Sequence, residues 1–389
     1  MVSETFKFKL FYFIRYFGDA FFYPFMSIYF IAMGVSSANL GIILAITPIT
    51  TILVNPFWNL MARDLRTIRT ILKVMTMIEG SLIILLTQVT GFEMYALIVC
   101  IIAFLCSPFM PIQDGFTATF ANQNKIEFTS IRINASIAYV IASALAGFVI
   151  MYLGYTFLFM VSGIFFIFTS LMVFWIKPFK EELQRQNAPK RDLRALLKNS
   201  EFYKYLIFYT LVIGAVRVGD SFFGVYLTSV KGLDTTQYGF VYAAFVFAEV
   251  IAIRFLITRG QLVSEHKLMI ISCLLFILRF ITYGLDLDPL SLSLLTLLRG
   301  VAWGIFLFAN IRYILKIVKV ENVTSAILII SLIFSMFTAV GNFFFGRLIV
   351  LIGYSWLYFM LSGIIFLGFL VLIFFSPKTR EPEPEVLGT

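Results

Sequence analysis

Asp114 and Arg132 are opposite charges eighteen positions apart, set in apolar sequence on either side of one short polar turn, Asn122-Gln123-Asn124-Lys125. Asp114 lies about nine residues before that turn and Arg132 about nine after it. If both flanks are helical, a rise of 1.5 Å per residue places the two side chains roughly 13 Å below the turn, level with each other. Two level charges inside apolar sequence are costly, so they are either a buried polar site or a structural salt bridge. Gln113 and Asn134 add hydrogen-bonding capacity beside them, and Tyr139 follows Arg132 by two helical turns. A carboxylate, a guanidinium and an aromatic face can together hold a sugar, the charges taking hydroxyls in pairs and the ring stacking on C–H faces.

Five more charges fall near the middle of apolar runs: Asp19, Asp220, Glu249, Arg279 and Arg299. Each central charge costs about 2.5–3.5 kcal/mol to insert, so the seven together cost on the order of 20 kcal/mol and must face partners, water or a substrate. Arg15 with Asp19, four apart, and Arg217 with Asp220, three apart, can pair on their own helix faces, which gives Arg15 and Arg217 a structural or gating reading. Glu79 and Arg254 are expected to reach the inner interface. Glu249, Arg279 and Arg299 come from three neighbouring runs; they either face the substrate or form an ion-pair network locking that part of the bundle. Arginine does not give up its proton. His266, the one histidine, falls between apolar runs. Any proton coupling must therefore use Glu249, Asp19, Asp220 or Asp114.

The elements that position these groups follow from composition. The chain has 389 residues, 60% hydrophobic and 13% charged, with 46 phenylalanines, which excludes a soluble protein. Twelve membrane spans are expected, near 10–33, 38–62, 70–90, 94–120, 129–152, 156–177, 202–230, 236–258, 267–286, 289–316, 323–350 and 354–376. The runs lack the alternation of a membrane barrel. The net charge of +9 does not imply nucleic acid, because the basic residues cluster in alternate connections between runs. By the positive-inside rule that pattern expects a multi-pass protein of the cell membrane with both termini in the cytoplasm. No cleavable leader is expected, since the first apolar run continues too far past Lys7 and Lys9.

Cys100, Cys106 and Cys273 all lie in apolar runs, so neither a disulfide framework nor a metal site is expected. No zinc-type histidine spacing, Gly-rich phosphate loop or Ser-His pair is present, so no cofactor and no enzymatic activity are expected. A sensor would normally bring an added soluble domain.

Residues 178–200 form the longest charged connection, contain Pro189, and divide the spans six and six. Leu193, Leu196 and Leu197 within it suit either a short interfacial helix or a solvated linker. The expected organisation is a six-helix bundle over 1–177, a cytoplasmic linker over 178–200, a second bundle over 201–377 and a disordered tail over 378–389. The halves repeat: Gly18-Asp19-Ala20-Phe21-Phe22 recurs as Gly219-Asp220-Ser221-Phe222-Phe223, and Gly41 matches Gly239. Two parallel six-helix halves joined by a loop describe an all-α membrane protein of the major facilitator architecture.

The ordered set of motifs resembles the lactose permease branch of that superfamily, including the phenylpropionate-permease-like proteins. The resemblance rests on Tyr23-Pro24-Phe25 in helix 1 and on Ser37-Ala38-Asn39-Leu40-Gly41-Ile42-Ile43 opening helix 2. The family's helix 4 carboxylate falls on Asp114, its helix 5 arginine on Arg132, its sugar-stacking aromatic on Tyr139, its helix 8 acid on Glu249 and its helix 9 arginine on Arg279. The resemblance implies substrate roles for these residues. Three departures stand beside it. The loop 2–3 gating motif is present as Asn59-Leu60-Met61-Ala62-Arg63-Asp64-Leu65-Arg66, with acid and base exchanged and both glycines lost. The helix 10 histidine position is Arg299, and the proton-carrying glutamate position is Ala302.

The expected function is secondary active transport of a small polar solute, sugar or sugar-like, by alternating access as a functional monomer in the bilayer. Proton coupling through an acidic residue is expected, although the departures leave uniport open. Transport of an organic anion is an alternative motivated by Arg132, Arg279 and Arg299, and efflux of hydrophobic compounds one motivated by aromatic richness. A non-transporting sensor or membrane enzyme is the reading from a different class.

Overall fold

The structure, a computed structural model, describes residues 3–61, 65–177, 196, 198–260, 263–285, 287–319 and 322–374, without the side chains of 55–57, 59, 60 and 324. Arg63, Asp64, Leu193, Leu197 and the tail over 378–389 lie outside the described residues. The helices are α1 (Glu4–Ala32), α2 (Ser37–Met61), α3 (Leu65–Leu86), α4 (Phe92–Cys106), α5 (Phe109–Gln123) and α6 (Phe128–Trp175) in the first half. The second half holds α7 (Ser200–Val225), α8 (Thr235–Arg259), α9 (Glu265–Gly284), α10 (Pro289–Leu295), α11 (Leu297–Ile317) and α12 (Val323–Phe374). A π-helical turn over Tyr226–Val230 extends α7.

Local chemistry starts these helices where the sequence changes character. Ser3 accepts from the Phe6 amide at the start of α1, and Asn199 from the Glu201 and Phe202 amides at the start of α7. Asp234 and Gln237 form a capping box at α8. Asp288 caps α10, with Pro289 as its first residue.

Two helices are hairpins. The beginning of α6 touches the start of α1 through Phe128 on Tyr12, and its end touches the same region through the Lys7 ammonium on the Trp175 carbonyl. A straight helix of 48 residues cannot do this, so α6 doubles back at Gly154, whose φ of 81° suits glycine. α12 does the same at Gly353, φ 78°: α7 packs Gly214 against Phe337 and Val212 against Gly368, on opposite arms.

Among the described residues, eight helical segments are long and apolar enough to cross a membrane. With two of them crossing twice, and with α1 and α3 added, the described residues make twelve crossings in two six-crossing bundles. α1 and α3 are the more charged crossings: α1 carries Lys7, Lys9, Arg15 and Asp19, and α3 carries Arg66, Arg69, Lys73 and Glu79. The fourth span is not continuous as expected: it breaks at Ser107-Pro108 into α4 and α5. The tenth divides likewise at Thr296.

The repeat is visible in the packing. Gly18 abuts Ser162 and Phe165, and Gly219 abuts Phe280 and Leu361. The halves meet at one end of the bundle, the end remote from Glu4. There Gly41 of α2 packs on Gly346 of α12, and Gly239 of α8 packs on Ser143 and Gly147 of α6. Hydrogen bonds between the halves reinforce the same end, among them Ser27 to the Ser221 carbonyl (2.9 Å), Tyr238 to the Pro24 carbonyl (3.0 Å) and Asn342 to the Leu44 carbonyl (3.0 Å). Pro24 interrupts the ladder of α1, and its carbonyl is used by the other half.

Candidate functional site

The expected turn ends α5 at Gln123, with Lys125 in the left-handed region at φ 53°. This hairpin brings Arg132 Nη2 to 3.7 Å from Asp114 Oδ2. The Tyr12 hydroxyl donates to Asp114 Oδ1 at 2.6 Å. The Arg132 side chain is half exposed. Gln113 is fully buried, and neither its Oε1 nor its Nε2 meets a hydrogen-bond partner among the described residues. Asn134 is turned into its own helix, donating to the Ser130 and Ile131 carbonyls.

The second network sits one turn deeper along α1. Arg15 Nη2 lies 3.2 Å from Asp19 Oδ1, so the expected pair on α1 forms. It is shared: Arg15 also donates to Glu79 at 2.5 and 3.2 Å, and the Tyr23 hydroxyl donates to Glu79 at 3.1 Å. Glu79 is fully buried, not at the interface as expected. The Arg15 guanidinium lies between the rings of Phe109 and Phe166, 4.1 and 4.2 Å from their centroids. Cation–π contact compensates part of its lost hydration. Arg254 is exposed.

The third network corrects a local expectation. Asp220 does not pair with Arg217. Its two oxygens take Arg279 at 2.6 Å and Arg299 at 2.9 Å. Arg279 is fully buried and donates to the Tyr283 hydroxyl at 3.0 Å. Arg299 covers the Phe245 ring at 4.0 Å. Two buried guanidiniums from α9 and α11 outcompete one three residues away, because burial leaves them no water to satisfy them. Arg217 is exposed toward the cavity. Glu249 makes no ion pair among the described residues, so it is not the acid of this network. It feels Arg299 and Arg132 at longer range, and its backbone packs on Gly300 and Gly304. His266 falls in the first turn of α9, with its ring near Tyr313.

Between the halves lies a cavity of about 760 Å³. Asp19, Gln113, Tyr139, Asp220 and Arg299 line it, on the Glu4 side of the seal. Asp114, Arg132, Asn134, Glu249 and Arg279 are not in its wall. Tyr139 stacks on Tyr242 across the two halves, centroids 6.0 Å apart and planes at 29°. Sequence reasoning missed one wall: Ser331, Ser335, Thr338 and Asn342 of α12 form a polar stripe facing Thr47 and Thr51 of α2. Their 4-3-4 spacing on one helical face was a legible signal. Among the described residues no cluster of His, Cys, Asp or Glu could hold a metal ion.

Residues 5–360 match the model of the MFS_1 like family. A maltose permease of Geobacillus stearothermophilus is 21% identical over 393 residues, covering 97% of this chain and 96% of that one. The uncharacterized transporter YwbF of Bacillus subtilis (strain 168) is 21% identical over 337 residues, covering 86% and 82%. Among solved structures, a point variant of the nucleoside transporter NupG superposes with a TM-score of 0.84 at 15% identity, over 96% of this chain and 100% of that one. A bacterial homolog to the human lysosomal transporter Spinster, inward-facing and unoccupied, gives 0.72 at 13% identity, over 98% of each chain.

Proposed function

The chain belongs to the MFS_1-like family of multi-pass membrane transporters, and from that premise we propose that it carries a small polar solute, sugar or sugar-like, by proton-coupled alternating access. One observation carries this: a cavity walled by polar side chains of both halves and sealed at one end. Its volume, about 760 Å³, is in the range of small-molecule sites, roughly 300–1,000 Å³. Asp19, Gln113, Asp220, Arg299 and the α12 stripe offer donors and acceptors to hydroxyls, and the Tyr139–Tyr242 pair offers a stacking face. The Asp114–Arg132 pair, one turn nearer the Glu4 end, is then a gate-side contact met as the solute enters or leaves.

With both termini in the cytoplasm, as the basic connections favour, the sealed end faces outward and the cavity faces inward. Rocking of the halves about the site would exchange the two exposures. A nucleoside is a second reading, favoured by the paired tyrosine rings, which suit a planar base beside a ribose.

The test is counterflow in proteoliposomes across neutral sugars, sugar acids, nucleosides and aromatic acids. Saturable exchange of a neutral polyol supports the sugar reading, exchange confined to nucleosides supports the second, and exchange confined to acids transfers the assignment to organic anions. If none exchanges, the uptake reading is wrong. Accumulation against a gradient when an inward proton gradient is imposed is expected; its absence removes proton coupling.

A further inference from the structure

Arg15 serves two carboxylates at once, and all three groups are buried: Arg15 is 5% exposed, Asp19 6% and Glu79 0%. Fully ionised, the three carry a net charge of −1, taken as one positive against two negative groups. A surplus charge shut away from water is unfavourable, and two carboxylates sharing one site relieve it by holding a proton.

The two acids are not equivalent. Glu79 receives both guanidinium hydrogen bonds and the Tyr23 hydroxyl. Asp19 Oδ1 is within ionic range of Arg15 but out of line for a hydrogen bond, and no other donor among the described residues reaches it. Asp19 lines the cavity, whereas Glu79 does not. The titratable groups facing Asp19 are Arg15, Tyr16 and Tyr23 of its own helix, Glu79 of α3 and Tyr139 of α6; Cys106 of α4 stands beside Glu79. Arg15 is the cation in that set, and Glu79 holds it. The rival carboxylates are answered otherwise: Asp114 by Tyr12 and Arg132, and Asp220 by two arginines. Glu249 is outside the cavity wall.

We propose that Asp19 is the proton-binding carboxyl of the transport cycle. A hydronium ion in the cavity gives its proton to Asp19, an O–H bond forms there, and a water molecule remains. The Arg15 guanidinium then belongs wholly to Glu79, and the group becomes neutral. Release is the reverse step. The event acts on α1, the helix that crosses to the other half at Pro24 and Ser27, one and two turns beyond Asp19. This inference rests on the proton-coupled reading above, and it is tested without any solute.

Infrared difference titration of the purified protein in nanodiscs reads carboxylic-acid groups directly. A carboxylic-acid band already present at neutral pH, above the range in which exposed carboxyls protonate, is expected in the wild type and is absent from Asp19→Asn. Glu79→Gln frees Arg15 for Asp19, so the same band weakens by about half or more at neutral pH. Asp19→Glu, which keeps a carboxyl, retains a titrating band at a displaced frequency and serves if the asparagine variant does not insert. A wild type with no such band at neutral pH, a full band in Asp19→Asn, or an unchanged band in Glu79→Gln overturns the proposal. None of these outcomes bears on whether the chain transports a solute, which counterflow decides separately.

Discussion

Gly41 and Gly346 pack backbone against backbone across the two halves: a Cβ on Gly41 would stand 2.5 Å from the Asn342 carbonyl oxygen and 2.8 Å from the Gly346 Cα. The repeat-related crossing is as close, with a Cβ on Gly239 standing 2.6 Å from the Ser143 carbonyl. Backbone cannot move aside as a flexible side chain can, so neither crossing has room for a side chain while the far end is shut.

Gly41→Leu and Gly239→Leu are therefore expected to oppose closure of that end. Overpacking costs about 1–3 kcal/mol, equivalent to a shift of about 5- to 150-fold in the ratio of closed to open states. The check is the distance between spin labels placed either side of the seal: it should lengthen in both variants, with exchange lost. Unchanged distances would mean that these crossings do not govern closure.

Asp220 is the common partner of Arg279 and Arg299, so its loss leaves two buried guanidiniums facing each other. Asp220→Asn should destabilise the second half by about 3–5 kcal/mol, the usual effect of breaking a buried pair from one side. Adding Arg279→Gln restores the original surplus of one positive charge and should recover a large part of that loss. Thermal unfolding of the single and double variants in detergent gives the coupling. A double variant no better than Asp220→Asn would show that the two groups do not act as a pair.

Asp114 holds Arg132 and the Tyr12 hydroxyl together at the gate side of the cavity. Asp114→Asn and Arg132→Lys are expected to raise the half-saturation concentration of counterflow by about tenfold or more, since hydrogen bonds to charged groups contribute about 1.5–3 kcal/mol. Tyr12→Phe should act in the same direction and more weakly. Normal transport by both charge variants would remove these residues from the solute's path.

Tyr139 and Tyr242 are stacked across the seal's inner edge. Tyr139→Phe keeps the ring and should retain exchange, while Tyr139→Ala should weaken apparent affinity by about 0.5–1.5 kcal/mol for a stacked partner. Equal behaviour of the two variants in a solute-concentration series would place the solute away from this ring.

What could be read from the sequence was whatever depended on neighbours along the chain. Apolar run lengths set the crossings, and the repeat of Gly18-Asp19 in Gly219-Asp220 set the two halves. The polar turn at 122–125 set the common depth of Asp114 and Arg132, because a helical hairpin with a short turn has only one register. Their 3.7 Å approach follows from that local geometry. The spacing of Ser331, Ser335, Thr338 and Asn342 belonged to the same class of signal.

The partners of Asp220 and Arg15 were of a different kind. Asp220 had Arg217 three residues away, yet it bonds Arg279 and Arg299, 59 and 79 residues on. Arg15 had Asp19 one turn away, yet its hydrogen bonds go to Glu79. A charge inside a bilayer is stabilised by the partner that packing leaves driest and best aligned, and sequence separation has no weight in that choice. The apolar runs could thus specify two bundles and a list of buried charges. Only the docking of α1 and α3 on α6, of α7 on α12, of α9 on α11 and α12, and of one bundle on the other could pair those charges and leave Asp19 with an unsatisfied oxygen beside the cavity.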